Sequence, residues 1–236
     1  MTKFLLFLLL FCLSFTKIFP KDLSKEESFN RVLTFLDNYQ NKYLFRGKFP
    51  IKKGKFCYEE LKRECQLKAA EQGYCLGNDF LLVNVSLLNL LNIDERTLEE
   101  DWFKENKNLG YLIEYPIYGC LLDPMKFIKP IRYSLCNPNV DRLRPLIRTL
   151  RHLLYCHNFG DKEVVIYLHC SAGKDRTGEV AGCYLMQYKG YSYHQVHQLN
   201  LQIADRKIRR FSVNAMKWYA FYLRETLKIP TIGTIY

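Results

Sequence analysis

Val164-Val165-Ile166-Tyr167-Leu168-His169-Cys170-Ser171-Ala172-Gly173-Lys174-Asp175-Arg176-Thr177-Gly178 joins a β-branched apolar run to a polar end that holds two glycines. Val164–Leu168 shows no polar alternation, the pattern of a central strand buried on both faces. From Thr177 to about residue 188 the apolar spacing is helical, and Gly190 closes it. The stretch therefore reads as strand, turn and helix. Between a strand end and a helix N-terminus, unpaired backbone N–H groups gather where the helix dipole is positive, and an anion is favoured there. Gly173 permits backbone angles that let successive N–H groups curl into a nest. Gly178 lets the helix start pack closely on the sheet.

Into that cradle the sequence sets Cys170 and, six positions on, Arg176. A thiol becomes a nucleophile when ionised, and a helix N-terminus beside a guanidinium favours the thiolate. The planar fork of Arg176 can grip two phosphate oxygens at once, which a lysine cannot do. Ser171, Ala172, Gly173, Lys174, Asp175 and Arg176 would line the bound phosphate, with Lys174 a second cation on the rim. His169 would pack behind the turn and orient Cys170, and Thr177 would offer its hydroxyl to the sulfur. The plain alternative is a tight strand-to-helix turn with a buried thiol.

The rest of the chain alternates in the same manner. Residues 24–46 read as helical, with Phe29, Val32, Leu33 and Leu36 on one face, before a short strand at Tyr43–Gly47. Residues 57–72 form a charged amphipathic helix ended by Gly73, Phe80–Val85 and Tyr111–Ile117 read as strands, and 94–106 is helix-prone. Residues 119–139, with Pro124, Pro130 and Pro138, read as irregular. Asp141–Tyr155 is again helical. Ser192 and Ser212 would cap two further helices, the last reaching Leu227. The expected fold class is α/β: a single domain with a central mixed, largely parallel sheet flanked by helices.

With 236 residues, 48% of them hydrophobic, the chain can bury a core without staples, and disorder is excluded. The formal charge of +11 favours phosphorylated molecules, acidic membrane surfaces or nucleic acid, or simply gives a basic soluble surface. No zinc-finger or RNA-binding signature accompanies it. Residues 1–16, one lysine and then the apolar run Phe4–Phe15 before Ser14-Phe15-Thr16, have the layout of a secretory signal peptide, with an uncleaved anchor or a buried helix as alternatives. Residues 17–236 would form the domain, secreted or in the secretory-pathway lumen. Six of the nine cysteines (Cys57, Cys65, Cys75, Cys120, Cys136 and Cys156) are expected to form three disulfides or to remain reduced thiols. Asn84-Val85-Ser86 is a glycosylation sequon inside an apolar run. His194 and His197 share a helix face without further metal-ligating partners at suitable spacing.

The ten residues His169–Gly178 resemble the signature loop of the cysteine-dependent protein tyrosine phosphatase superfamily. The form is that of compact atypical dual-specificity, bacterial-type tyrosine and phosphoinositide phosphatases. Leu44-Phe45-Arg46-Gly47 followed by Pro50 is similar to the arginine-bearing strand that opens atypical members, and Glu114-Tyr115-Pro116-Ile117 to the strand before the general-acid loop. The resemblance implies hydrolysis of a phosphomonoester through a cysteinyl-phosphate on Cys170, with Arg176 and the loop amides bearing the charge. It implies neither cofactor nor metal. The general acid is the departure from the family pattern. Asp175 is the first candidate and Asp123 the second, while Asp141 has nearly the family spacing but reads as a helix cap. The implied substrate is a phosphotyrosyl protein, with a phosphoinositide as alternative, which Lys174 and the run Asp205–Arg210 would favour. A catalytically silent secreted phosphate-binding module is the reading of another class.

Overall fold

Strands that bury both faces lose the alternation of a one-sided sheet, and Val164–Leu168 owes its uniform apolarity to that position. The computed structural model describes residues 31–135 and 140–236. The strands β1 (Thr34–Tyr39) and β2 (Lys42–Lys48) form a hairpin, followed by a small one of β3 (Ile51–Lys52) and β4 (Lys55–Phe56). Then come helix α1 (Tyr58–Ala70), β5 (Phe80–Ser86), α2 (Ile93–Glu105) and β6 (Gly110–Glu114). A 3-10 turn at Pro124–Lys126, α3 (Lys129–Leu135), α4 (Leu143–Tyr155) and β7 (Glu163–Cys170) follow. The chain ends with α5 (Asp175–Tyr188), α6 (Tyr193–Ala204) and α7 (Arg210–Phe221).

The central sheet runs β1-β2-β7-β5-β6, with β1 antiparallel and every other pairing parallel. This is the mixed, largely parallel α/β arrangement that the sequence predicts. Strand β7 lies in the middle. Lys48 pairs with Cys170, and Ser86 pairs with both His169 and Glu114, so the four parallel strands end along one edge. In open α/β sheets the loops at that carboxyl edge form the binding crevice.

The pleat sends alternate side chains of β7 into two cores. Val164, Ile166, Leu168 and Cys170 meet the cluster formed with α4, α5, α6 and α7. Val165 and Tyr167 meet Tyr43, Phe45, Leu61, Phe80 and Phe103, on the side of α1 and α2. Cys170 and His169 thus begin on opposite faces of the sheet.

Several sequence expectations are revised. Residues 34–39, read as helical, form β1, because Val32, Leu33 and Leu36 are buried through a strand hairpin against the central sheet. The last helix begins at Arg210, not at a Ser212 cap. Ser212 is buried within it, and a π turn at Tyr222–Thr226 follows. Ser192 does cap α6, in a reciprocal box with Gln195. Cys65, Cys75, Cys120 and Cys156 are free thiols, so the three-disulfide arrangement is not formed. Cys136 and the predicted signal peptide lie outside the described residues. Asn84 of the sequon is fully buried in β5, which leaves no room for a glycan.

Candidate active site

The turn after β7 is shaped by two close approaches. Gly173 has φ +68°, and a Cβ on it would come within 2.5 Å of the Gly47 carbonyl carbon and oxygen. Only glycine fits both the angle and the space. The Phe49 N–H donates to the Cys170 carbonyl at 2.8 Å, and the Leu87 N–H to the His169 carbonyl at 2.8 Å. The two neighbouring strand ends therefore clamp the backbone at His169 and Cys170 from both sides. Asp175, Arg176 and Thr177 open α5, whose first internal bond is the Gly178 N–H to the Lys174 carbonyl at 3.0 Å. Their own N–H groups precede the first intrahelical donor, Gly178, and lie at the positive end of the helix dipole, five to seven residues after Cys170.

Cys170 is buried at the floor of this turn, and Thr177 beside it is fully buried with a hydroxyl oxygen that has no hydrogen-bond partner among the described residues. The guanidinium of Arg176 is aimed from the opposite rim. Its Nη1 donates to the Leu87 carbonyl and to Asn92 Oδ1, each at 3.0 Å. Asn92 Nδ2 donates to Glu95 Oε2 at 2.8 Å, and Ser171 Oγ donates to Glu95 Oε1 at 2.6 Å. The turn after β5 and the start of α2 thus hold Arg176 and Ser171 in one network.

Behind the turn, Arg46 of β2 is fully buried. Its Nη2 donates to the Gly173 carbonyl at 3.0 Å and its Nη1 to Asn200 Oδ1 at 2.6 Å, while Asn200 Nδ2 donates to the Gly178 carbonyl at 2.9 Å. Burial lowers the guanidinium pKa to about 10, and negative charge on Cys170 acts in the opposite direction. On the other face of the sheet, His169 Nε2 lies 2.7 Å from Glu99 Oε1, and Asn84 Nδ2 donates to that same oxygen. All three side chains are buried, with His169 stacked between Phe49 and Tyr167.

The three aspartates have different surroundings. Asp175 is held by a two-pronged contact from Arg206, at 3.0 and 2.7 Å, and by the Arg209 N–H at 2.8 Å. Burial opposes its charge, but these donors and the charges of Arg206 and Arg209 outweigh it, and the carboxyl is held below its ordinary value. Asp123 caps the 3-10 turn through the Met125 N–H at 3.0 Å and lies 3.5 Å from Lys217 on α7. Asp141 is no helix cap: α4 is entered through Arg142, with no side-chain cap bond. Asp141 and Arg142 both take left-handed angles, φ 53° and 55°, conformations that cost energy outside glycine and cluster at functional sites. Asp141 Oδ2 accepts the Tyr118 and Gly119 N–H groups at 2.7 and 2.5 Å. Burial raises its pKa even though those two donors and the Arg176 charge pull the other way. Under the turn, Glu179 of α5 is fully buried, and burial with the Asp141 charge pushes its carboxyl well up.

The chain is similar to solved phosphatases. One is the core catalytic domain of the PP-IP phosphatase SIW14 from S. cerevisiae, at 18% identity over 82% of this chain and 88% of that one, TM-score 0.41. Another is human DUSP28, at 14% identity over 82% and 95%, TM-score 0.39. A third is kinase associated phosphatase carrying serine for its catalytic-site cysteine, at 14% identity over 86% and 98%, TM-score 0.43. No family model matches the chain, and no curated protein does.

The turn thus brings together Cys170, Ser171, Ala172, Gly173, Lys174, Asp175, Arg176 and Thr177, with His169 behind. Asp141 is engaged by the Tyr118 and Gly119 N–H groups, close enough to feel the Arg176 charge; Asp123 is engaged at α7. Sequence reasoning read Asn84 only as part of a glycosylation sequon and gave no role to Glu95, Glu99, Asn200 or Glu179. Their one visible signal is polarity at positions of apolar spacing, as for Asn84 within Phe80–Val85. His194 bonds the Tyr236 hydroxyl at 2.7 Å and His197 stacks on Tyr193, which are packing roles.

Proposed function

We propose that this chain is a cysteine-dependent phosphomonoester hydrolase. The Cys170 thiolate attacks phosphorus, the ester oxygen leaves with a proton from a general acid, and water then cleaves the cysteinyl-phosphate to release inorganic phosphate. Arg176 and the α5 N–H groups stabilise the three equatorial oxygens. Thr177 offers its hydroxyl to the departing sulfur in the second step. The observation that carries the reading is the buried Cys170 at the end of β7, in the turn that leads into α5, with Arg176 on the first turn of that helix and its guanidinium held by Leu87 and Asn92.

For the general acid, the surroundings favour Asp141 over Asp175 and Asp123. A proton donor must hold its proton near neutral pH, and burial raises the Asp141 pKa while paired cations lower that of Asp175. Asp175 then serves to anchor the loop to Arg206 and Arg209. The substrate is a phosphotyrosyl protein or, in a second reading favoured by those two arginines beside the loop, a phosphoinositide.

The test is phosphate release from a phosphotyrosyl peptide and a phosphoinositide, in reductant, by the wild type and Cys170→Ser. Release lost in the variant supports the covalent route. No release from either substrate, with vanadate still bound, leaves the silent phosphate-binding module as the function.

A further inference from the structure

Two segments tied to the phosphate-loop network, and to each other through Asn89 Nδ2 and the Ile117 carbonyl at 2.9 Å, hold aliphatic side chains out in water. One is the turn after β5, closed by the Asn92 N–H to the Asn89 carbonyl at 2.9 Å and the Leu91 N–H to Asn89 Oδ1 at 3.1 Å. At its tip Leu90 is 66% and Leu91 89% exposed, and Ile93 follows at 66%. This turn also holds Arg176 through Leu87 and Asn92, so its tip is fixed relative to the site. The second segment supplies the Tyr118 and Gly119 N–H groups to Asp141, and two residues further Leu121 is 75% and Leu122 54% exposed. It is tied down by the Trp218 Nε1–H to the Leu122 carbonyl at 2.8 Å. Lys126 and Lys129 lie just beyond. Arg206 and Arg209 stand on a third side, joined to Asp175.

Single exposed leucines are ordinary on a protein surface. Two exposed aliphatic tips joined to one anion site, with Arg206 and Arg209 bonded to Asp175 of the same site, are a pattern. The core of a protein–protein contact is enriched in aromatic side chains and depleted in lysine. The exposed side chains here are mainly aliphatic, with Tyr118 (53% exposed) beside them as an interfacial aromatic, and lysines and arginines follow in the sequence. That composition suits the headgroup–acyl boundary of a bilayer, where apolar side chains enter the hydrocarbon and basic ones meet anionic lipid. The net charge of +11 is complementary to such a surface.

We propose that Leu90, Leu91 and Ile93 of the first segment and Leu121 and Leu122 of the second dock this face on an anionic lipid bilayer, setting the phosphate loop against the headgroups. Combined with the hydrolase reading, on which this last step rests, docking selects a phosphomonoester carried on a lipid headgroup rather than on a soluble phosphopeptide.

The test is co-sedimentation of the full chain with phosphatidylcholine vesicles, with and without phosphatidylserine. It compares wild type, the double variant Leu90→Asp/Leu91→Asp and the milder Leu121→Gln/Leu122→Gln. Hydrolysis of a soluble aryl phosphate is followed in parallel. Binding to phosphatidylserine vesicles is expected to weaken at least tenfold in the first variant and severalfold in the second, with aryl phosphate turnover unchanged. Wild-type binding equalled by both variants overturns the proposal, as when charge alone or residues 4–15 hold the chain to vesicles. Absence of wild-type binding overturns it too, as does a preference for soluble phosphopeptide over vesicle-borne phosphoinositide. Vesicle binding that needs the leucines, without any aryl phosphate hydrolysis, upholds docking and defeats the hydrolase reading.

Discussion

His169 Nε2 lies 2.7 Å from Glu99 Oε1, with both side chains withdrawn from solvent and Asn84 Nδ2 3.1 Å from the same ring nitrogen. The pair sits one residue before Cys170 and on the opposite face of the sheet. It fixes the imidazole, and through it the peptide whose carbonyl accepts the Leu87 N–H. Glu99→Ala leaves that imidazole and Asn84 without an acceptor. Leaving a buried polar group without its hydrogen-bond partner costs roughly 1–3 kcal/mol. Glu99→Gln, which retains an oxygen at the same place, should cost less. Chemical denaturation checks the order; an unaltered midpoint for Glu99→Ala would show that the pair does not stabilise the fold.

Arg46 carries the second prediction. Replacing it by methionine removes the donors to the Gly173 carbonyl and Asn200 together, and an orphaned buried acceptor costs roughly 1–3 kcal/mol. The change also removes the cation nearest the back of the turn. Alkylation of Cys170 by iodoacetate at neutral pH should slow by about tenfold, the effect of some 1.4 kcal/mol on the thiolate. Alkylation at the wild-type rate would mean that Arg46 only packs.

The acid assignment is tested by a pair of variants. Asp141→Asn should lower kcat on an alkyl phosphate by about 10²–10⁴, the usual contribution of a general acid, and much less on a nitrophenyl ester, whose oxygen leaves unprotonated. An acid acts below its pKa, so wild-type kcat should fall as pH rises through the elevated Asp141 value. That alkaline limb should vanish in Asp141→Asn and persist in Asp175→Asn, which instead loosens the loop and raises KM. A limb lost from Asp175→Asn and kept in Asp141→Asn reverses the roles.

Glu179 gives a pH dependence of stability. Its carboxyl is pushed well up in the folded chain, so the fold binds a proton that the unfolded chain releases above its ordinary carboxylate pKa. Stability from this group is complete below that unfolded pKa and is lost as pH rises toward the folded one, by up to about 1.4 kcal/mol per pH unit. Glu179→Gln should therefore raise Tm at pH 8 more than at pH 5. An equal shift at both pH values would show that Glu179 does not hold a proton in the fold.

The sequence by itself determined the centre of the molecule. Val164–Leu168 could only be a doubly buried strand, and Gly173 and Gly178 could only serve a tight turn into a helix. Local physics was sufficient there, because periodicity, glycine angles and the helix N-terminus all act within a few residues. Helices 58–70 and 143–155 were legible for the same reason: their apolar stripes recur every turn. Residues 34–39 were misread because Val32, Leu33 and Leu36 fit a helical stripe, and only the pairing of β1 with β2 decides for a strand. The environment of each carboxylate was not legible either. Asp141, Asp175 and Asp123 are alike as letters, yet one is half-buried on the Tyr118 and Gly119 N–H groups, one is held by Arg206 and Arg209, and one caps a turn against Lys217. Arg46, Asn84, Glu99 and Asn200 meet the turn from strands and helices up to 127 residues away, as in the Arg46–Gly173 bond. Burial and charge pairing depend on what the folded chain brings alongside, so the tertiary structure alone set which of these groups meets a cation and which is drawn out of water.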